Sequence, residues 1–169
     1  MISKEEYCQY VERYANMVLR ISVNYCRSIP DAEDMVQEVF LKLYETNKDF
    51  QDNEYVKRWL IRVTINLCKN HLKSAWHQKV YFIDSTNTED NLDNLTELFE
   101  EDKEKMALYC AVKKLPEKYR SVVHLYYYEE YPIRIIAEIL QKKETTIQTR
   151  LMRARNMLKE QLKGAWHDE

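Results

Sequence analysis

One glycine in 169 residues is the strongest constraint on how this chain can fold. It stands at Gly164, near the C-terminal end, and only three prolines accompany it. Average usage is about 7% glycine and about 5% proline. Tight hairpins, phosphate-cradling loops and dinucleotide fingerprints all need glycine where φ is positive. A chain without internal glycine therefore makes no P-loop and no GxGxxG turn, and strand-rich folds are disfavoured. Helices remain. With 45% hydrophobic, 12% aromatic and 32% charged residues, the chain is globular rather than disordered.

Charge is unevenly spread along it. Residues 1–79 hold 12 Lys/Arg against 11 Asp/Glu, residues 80–110 hold 2 against 9, and residues 111–169 hold 12 against 8. The formal net charge of −2 thus hides an acidic stretch of −7 between bodies of +1 and +4. This pattern predicts an all-α protein of two small helical domains, 1–79 and 106–169, joined by an acidic flexible linker over 80–105. Lys4, Glu5, Glu6, Glu12 and Arg13 interrupt any apolar N-terminal segment, and no run of about 18 apolar residues occurs, so neither a secretion signal nor membrane insertion is expected. Cys8, Cys26, Cys68 and Cys110 lie far apart and form no CxxC pair, which suits reduced, mostly buried thiols in the cytoplasm. Cys68 and His71 share a helical face with His77 nearby, but no second ligand pair completes a metal site, so no metal and no cofactor is expected.

Helical periodicity recurs along the chain. Tyr7, Val11, Tyr14, Val18, Ile21 and Tyr25 mark one face of a first helix, and Ile29-Pro30 interrupts it. Asp31 is the expected cap of a second helix, whose inward stripe is Ala32, Val36, Val39, Phe40 and Leu43. A third runs from about Asn53 to His77, with Val56, Leu60, Val63 and Leu67 inward. After the acidic stretch, a helix beginning near Thr96 is expected to run toward Lys114. Pro116 then opens another, with Val122, Val123, Leu125 and Tyr126 inward. Pro132 opens a short helix carrying Ile133, Ile136, Ala137 and Leu140. A turn at Gln141–Glu144 precedes a last helix from about Thr145 to Lys163, with the stripe Ile147, Leu151, Ala154 and Leu158. Short helix, short turn, longer helix is helix-turn-helix spacing.

Three surface stripes carry candidate function. On the third helix, Arg58, Arg62, Lys69 and Lys73 fall within about 60° of one another, with Asn66 and Asn70 at their edge. Tyr55, Trp59, Trp76 and His77 lie near them. Such a line suits a phosphate backbone and unstacked bases, and equally suits a solvated face with aromatics in the core. On the last helix Thr146, Thr149, Arg150 and Arg153 share a face distinct from the apolar one, and the full helix adds Gln148, Arg155, Lys159 and Lys163. Placed in a major groove, Gln and Arg pair with base edges, and Thr binds phosphate or a thymine methyl. On the second helix Asp34, Glu38, Leu41 and Glu45 line the outer face. An apolar residue among acids there reads as a protein-docking surface or as an ordinary solvated helix. A carboxylate di-metal bundle needs inward Glu-x-x-His pairs, and none occurs, so no catalytic residue is expected.

The strings DAEDMVQEVFLKLYE (31–45) and VKRWLIRVTINLCKNHLK (56–73) resemble region 2 of the extracytoplasmic-function subfamily of sigma-70 family RNA polymerase sigma factors. LPEKYRSVVHLYYYEEYPIRIIAEIL (115–140) and TTIQTRLMRARNMLKEQL (145–162) resemble region 4. The resemblance spans almost the whole chain and implies a non-enzymatic transcription initiation factor of two helical domains on a linker. It implies core RNA polymerase as partner, through its clamp helices and flap, with Asp34, Gln37, Glu38 and Leu41 on the docking surface. Promoter DNA is the second partner. Arg58, Trp59, Arg62, Asn66, Lys69, Asn70 and Lys73 match the segment that melts and holds the −10 element, and Thr145, Thr146, Gln148, Thr149, Arg150 and Arg153 match the −35 recognition helix. An anti-sigma factor is common in the family. The linker resembles one that threads toward the polymerase active-site cleft and RNA exit channel. One departure stands out: the family usually has glycine in the turn before the recognition helix, whereas here the turn is Gln141-Lys142-Lys143. Two other readings share parts of the pattern, a stand-alone dimeric helix-turn-helix regulator and an RNA-binding or adaptor module.

Overall fold

The computed structural model describes residues 1–26, 28–79 and 103–166, with side chains described except at 74–79, 103–106, 109 and 164–166. Residues 80–102 of the expected linker, with the start of a helix near Thr96, lie outside these residues, and its last three residues, 103–105, already belong to a helix. No strand occurs among the described residues. The chain divides into two compact units, Met1–Leu98 and Phe99–Glu169.

Among the described residues the first unit contains three long helices. Helix α1 (Lys4–Tyr25) begins with a capping box in which Ser3 Oγ accepts from the Glu6 amide while the Glu6 carboxylate accepts from the Ser3 amide. These bonds hold the Glu6 carboxyl below its usual range. Helix α2 (Ile29–Glu45) corrects one expectation. Ser28, not Asp31, is its N-cap, and Ser28 Oγ accepts from the Asp31 amide at 3.2 Å. Asp31 sits in the first turn with Pro30, where a missing N–H costs nothing. Helix α3 (Asn53–Lys79) completes the bundle.

Two tyrosines bind the three helices together. Tyr14 Oη donates to the Asn53 carbonyl at 3.0 Å, joining α1 to the start of α3. Tyr7 Oη donates to the Phe40 carbonyl at 3.0 Å, joining α1 to α2, and burial pushes its phenol pKa up. The core between them holds Val18, Ile21 and Tyr25 from α1, Ala32, Met35, Val39, Phe40 and Leu43 from α2, and Val56, Leu60, Ile61, Ile65 and Cys68 from α3.

The inward face of α3 is rotated from the expected stripe. Val56 and Leu60 are buried as expected, but Val63 and Leu67 are only half-buried, and Ile61, Thr64, Ile65 and Cys68 take their place. Apolar residues spread over roughly half of the circumference of α3, away from the basic stripe, so periodicity does not fix which of them face the core. Thr64 joins the core because its hydroxyl donates back to the Leu60 carbonyl at 2.6 Å, leaving its methyl as packing surface. All four cysteines are free thiols, with Cys26 and Cys68 buried, Cys110 half-buried and Cys8 exposed.

The second unit holds α4 (Lys103–Lys113), α5 (Glu117–Val123), a π-helical turn (His124–Tyr128), α6 (Ile133–Leu140) and α7 (Glu144–Trp166). Pro116 and Pro132 are the N-caps of α5 and α6. Ala111, Val112, Leu115, Tyr119 and Val123 pack with Ala154 and Leu158 of α7. Toward its other end α7 buries Ile147 and Leu151, while α6 buries Ile135, Ile136, Ala137 and Ile139. Ile133 and Leu140, expected inward, are half-buried.

The π turn has no counterpart in the expected pattern. There the Glu129 amide donates to the His124 carbonyl, one residue wider than an α turn, and Glu130 follows at φ 57°. His124 is buried, stacked on Tyr128 at 5.1 Å, with its Nε2 3.7 Å from Glu129 Oε1.

The rotated face of α3 gives a quantitative expectation. Ile61→Ala removes a fully buried side chain and should cost about 2–5 kcal/mol, whereas Leu67→Ala should cost clearly less. Urea unfolding of the full chain measures both. Equal losses would contradict the inward face described.

Candidate nucleic-acid interface

The turn that presents α7 is closed by a left-handed residue. Gln141 adopts φ 55° and ψ 48°, and the Lys142 amide donates to the Ala137 carbonyl at 3.0 Å. That closure is where helices commonly use glycine. Here a glutamine occupies it, so the departure noted in the sequence becomes a local strain on the order of 1 kcal/mol.

Burial of Ile147, Leu151, Ala154 and Leu158 sets the rotation of α7. Thr145, Gln148, Met152, Arg153 and Asn156 are exposed, and Thr146, Thr149 and Arg150 are half-buried. Thr149 Oγ1 donates to the Thr145 carbonyl at 3.0 Å, so this hydroxyl offers a partner its lone pairs and its methyl. Tyrosines meet two arginines of this helix. The positive charges of Arg153 and Lys118 hold the Tyr119 phenol below its usual pKa range. Arg155 Nε donates to Tyr127 Oη at 2.8 Å, and this bond raises the guanidinium's pKa further.

In the first unit, the structure places the basic stripe of α3 on one side of the helix. Arg62, Asn66, Asn70 and Lys73 are exposed, while Arg58, Trp59 and Lys69 are half-buried. Arg58 Nε lies 3.2 Å from Glu54 Oε1 one turn back. Trp59 meets Phe50 edge-to-face at 5.6 Å, and Tyr55 approaches the same ring at 5.8 Å. Phe50 was not anticipated; its signal is a lone aromatic inside the polar turn between α2 and α3. The side chains of Trp76 and His77 fall outside the described set.

On α2 the acidic stripe faces outward as expected. Asp34, Gln37, Glu38 and Glu45 are exposed, and Leu41 is 54% accessible at the centre of that face. Tyr44, overlooked in the sequence, is 66% accessible beside it and meets Tyr7 edge-to-face at 5.5 Å. Asp34, Glu38 and Glu45 make no ion pair among the described residues.

Comparison with known proteins accounts for both units. Residues 10–78 match the family model for sigma-70 region 2, and residues 105–158 match that for sigma-70 region 4. The chain belongs to the extracytoplasmic-function subfamily of sigma-70 family sigma factors. Its relatives include RNA polymerase sigma-H factor of Pseudomonas aeruginosa, 24% identical over 88% of this chain and 81% of the relative. Another is ECF RNA polymerase sigma factor SigW of Bacillus subtilis, 26% identical over 95% of this chain and 90% of the relative. In fold it is similar to the sigma factor RpoE solved in complex with the anti-sigma factor NepR from Bartonella quintana. That match has a TM-score of 0.73 at 19% identity and covers 94% of this chain and 98% of the other. CnrH, solved with the cytosolic domain of CnrY, matches with a TM-score of 0.64 at 19% identity over 96% of this chain and 90% of that one.

The protein is thus an alternative sigma factor acting in promoter-specific transcription initiation, a non-enzymatic role. Its partners are core RNA polymerase and promoter DNA. A stand-alone dimeric regulator needs only the helix-turn-helix and leaves the region 2 match over 69 residues unexplained. No helix among the described residues is long and apolar enough to cross a membrane.

The left-handed closure at Gln141 yields a second expectation. Gln141→Gly relieves the Cβ clash but adds freedom to the unfolded chain, so stability should rise by a few tenths to about 1 kcal/mol. Thermal unfolding reads the change. A loss of stability would show that the glutamine side chain contributes there.

Proposed function

We propose that this sigma factor divides its work among three helix faces. The outer face of α2 docks on core polymerase, α3 holds the opened −10 strand, and the N-terminal half of α7 reads duplex −35 DNA. The carrying observation is Leu41, exposed among carboxylates that have no cationic partner among the described residues. An isolated helix gains nothing from that arrangement. Against basic clamp helices, Asp34 and Glu38 find counter-charges and Gln37 a hydrogen-bond partner. Burying Leu41 there is worth about 1.5–3 kcal/mol.

On α3 the chemistry suits a single strand. Arg58, Arg62, Lys69 and Lys73 follow the phosphates, Asn66 and Asn70 supply amide donors and acceptors, and Trp59 offers an aromatic edge. Unstacking a base costs a few kcal/mol, and stacking on protein aromatics returns about 1–3 kcal/mol per base. Phosphate neutralisation makes this binding fall steeply with salt. On α7, Gln148, Arg150 and Arg153 suit base edges and phosphates, and Thr145, Thr146 and Thr149 suit phosphates and thymine methyls. Either unit alone binds weakly. Held on one polymerase, the second contact gains from effective concentration, so free protein binds promoters poorly.

The acidic segment over 80–105, with its share of the −7 charge, suits a path that otherwise holds nucleic acid. The site of action is the cytoplasm, where polymerase works. An anti-sigma factor is a further expected partner, by analogy with the two solved sigma factors of similar fold.

The docking face is tested by reversing its character. Leu41→Asp combined with Glu38→Arg changes two exposed positions and should leave helix content unchanged while lowering affinity for core polymerase at least 100-fold. Co-purification and competition with a second sigma factor measure that affinity. Unchanged association would remove the docking role of α2.

A further inference from the structure

Arg155 stands outside the residues matched to −35 recognition, yet it is the most elaborately held cation of α7. Its Nε donates to Tyr127 Oη at 2.8 Å. Its guanidinium carbon lies 5.2 Å from the ring centre of Tyr126 and 5.9 Å from that of Tyr127. Those two rings stand edge-to-face at 5.0 Å and 79°, so the guanidinium occupies the corner between them. Among the described residues it makes no ion pair with a carboxylate. Its partners are all neutral, and its charge remains available.

A guanidinium has five donors in a planar fork. The tyrosine hydroxyl takes the Nε proton and the rings take a face, which leaves the four protons of the two terminal nitrogens. That end suits two oxygens of one phosphate bidentately. The side chain is exposed, but it is already oriented, so less rotamer freedom is lost on binding.

Its position on the helix selects the phosphate. At about 100° per residue, Arg155 and Arg153 project about 160° apart around α7, and they are only about 3 Å apart along the axis. Arg153 and the Tyr127-held Arg155 stand one on each flank of the outer face that carries Thr149, Met152 and Asn156. A helix with side chains is about 10–12 Å across, and the major groove is about 12 Å wide with a sugar-phosphate backbone on each side. Two cations on opposite flanks of an inserted helix therefore meet opposite strands.

We propose that Arg155, held by Tyr127 and Tyr126, is a phosphate-binding residue that fixes α7 in the −35 major groove, opposite Arg153. This rests on the reading of α7 as the −35 recognition helix. Tyr127 is a positioning residue, acting through Arg155. The π turn and the buried His124–Glu129 pair set where Tyr127 stands.

The test uses holoenzyme reconstituted from the full chain and bacterial core polymerase, on a promoter duplex recovered by transcription. Single phosphates around the −35 element are replaced in turn by uncharged methylphosphonates. Neutralising the phosphate that Arg155 meets should weaken wild-type holoenzyme about tenfold and leave Arg155→Ala unaffected. Arg155→Ala should also flatten the plot of log affinity against log salt by about 0.9, while Arg155→Lys keeps the wild-type slope. Tyr127→Phe retains the charge, so it should keep the slope yet lose about threefold of the phosphate sensitivity. If Arg155→Ala shows the wild-type slope and the same sensitive phosphates, Arg155 is only an internal strut. If no neutralised −35 phosphate affects wild-type holoenzyme, the −35 reading of α7 falls and the proposal falls with it.

Discussion

Burial of Ile147, Leu151, Ala154 and Leu158 holds α7 at one rotation about its axis. Once those four side chains leave water, the helical repeat dictates which others face a partner. The same rule operates on α2, where burial of Ala32, Met35, Val39 and Leu43 turns Leu41 outward among acids. It operates again on α3. The candidate recognition surfaces are therefore by-products of core packing: they carry the side chains that the cores cannot take. That economy suits a chain with a single glycine, because helix faces need no positive φ to present a surface.

Among the described residues two positions break that economy, and both lie in the second unit. Gln141 takes the left-handed turn that orients α7, and Glu130 takes another just after the π turn. Neither residue type prefers that region, and each persists because the surrounding packing over-determines it. The strained closures bracket α6, the helix that lies against α7 in the helix-turn-helix. Backbone strain is thus concentrated where the recognition helix must be aimed.

Most of the helices were legible from periodicity because one face of each is apolar and the remainder polar. The α7 stripe is the clearest case, with its four inward residues following the expected spacing. On α3 the same method failed in part. Val56, Leu60, Ile61, Val63, Ile65 and Leu67 spread over roughly half of the helix's circumference, too wide to mark one inward line, and Thr64 counts as polar until its hydroxyl turns back on the helix. The cap of α2 was misplaced because Ser28 and Asp31 are both competent and only the backbone geometry chooses between them. The π turn was invisible, since a run of three tyrosines carries no local signal for a widened turn. Arg155 was legible as one of the basic residues of the last helix, but its tyrosine partners were not, because Tyr127 lies 28 residues earlier.

The account stands or falls on whether this protein redirects polymerase. Run-off transcription with bacterial core polymerase, with and without the full chain, on a pool of genomic fragments measures that directly. Discrete start sites that require the protein, each preceded by shared −35 and −10 sequences, are the predicted result. Tight binding of the free protein to a palindrome, with no protein-dependent start site, would contradict it.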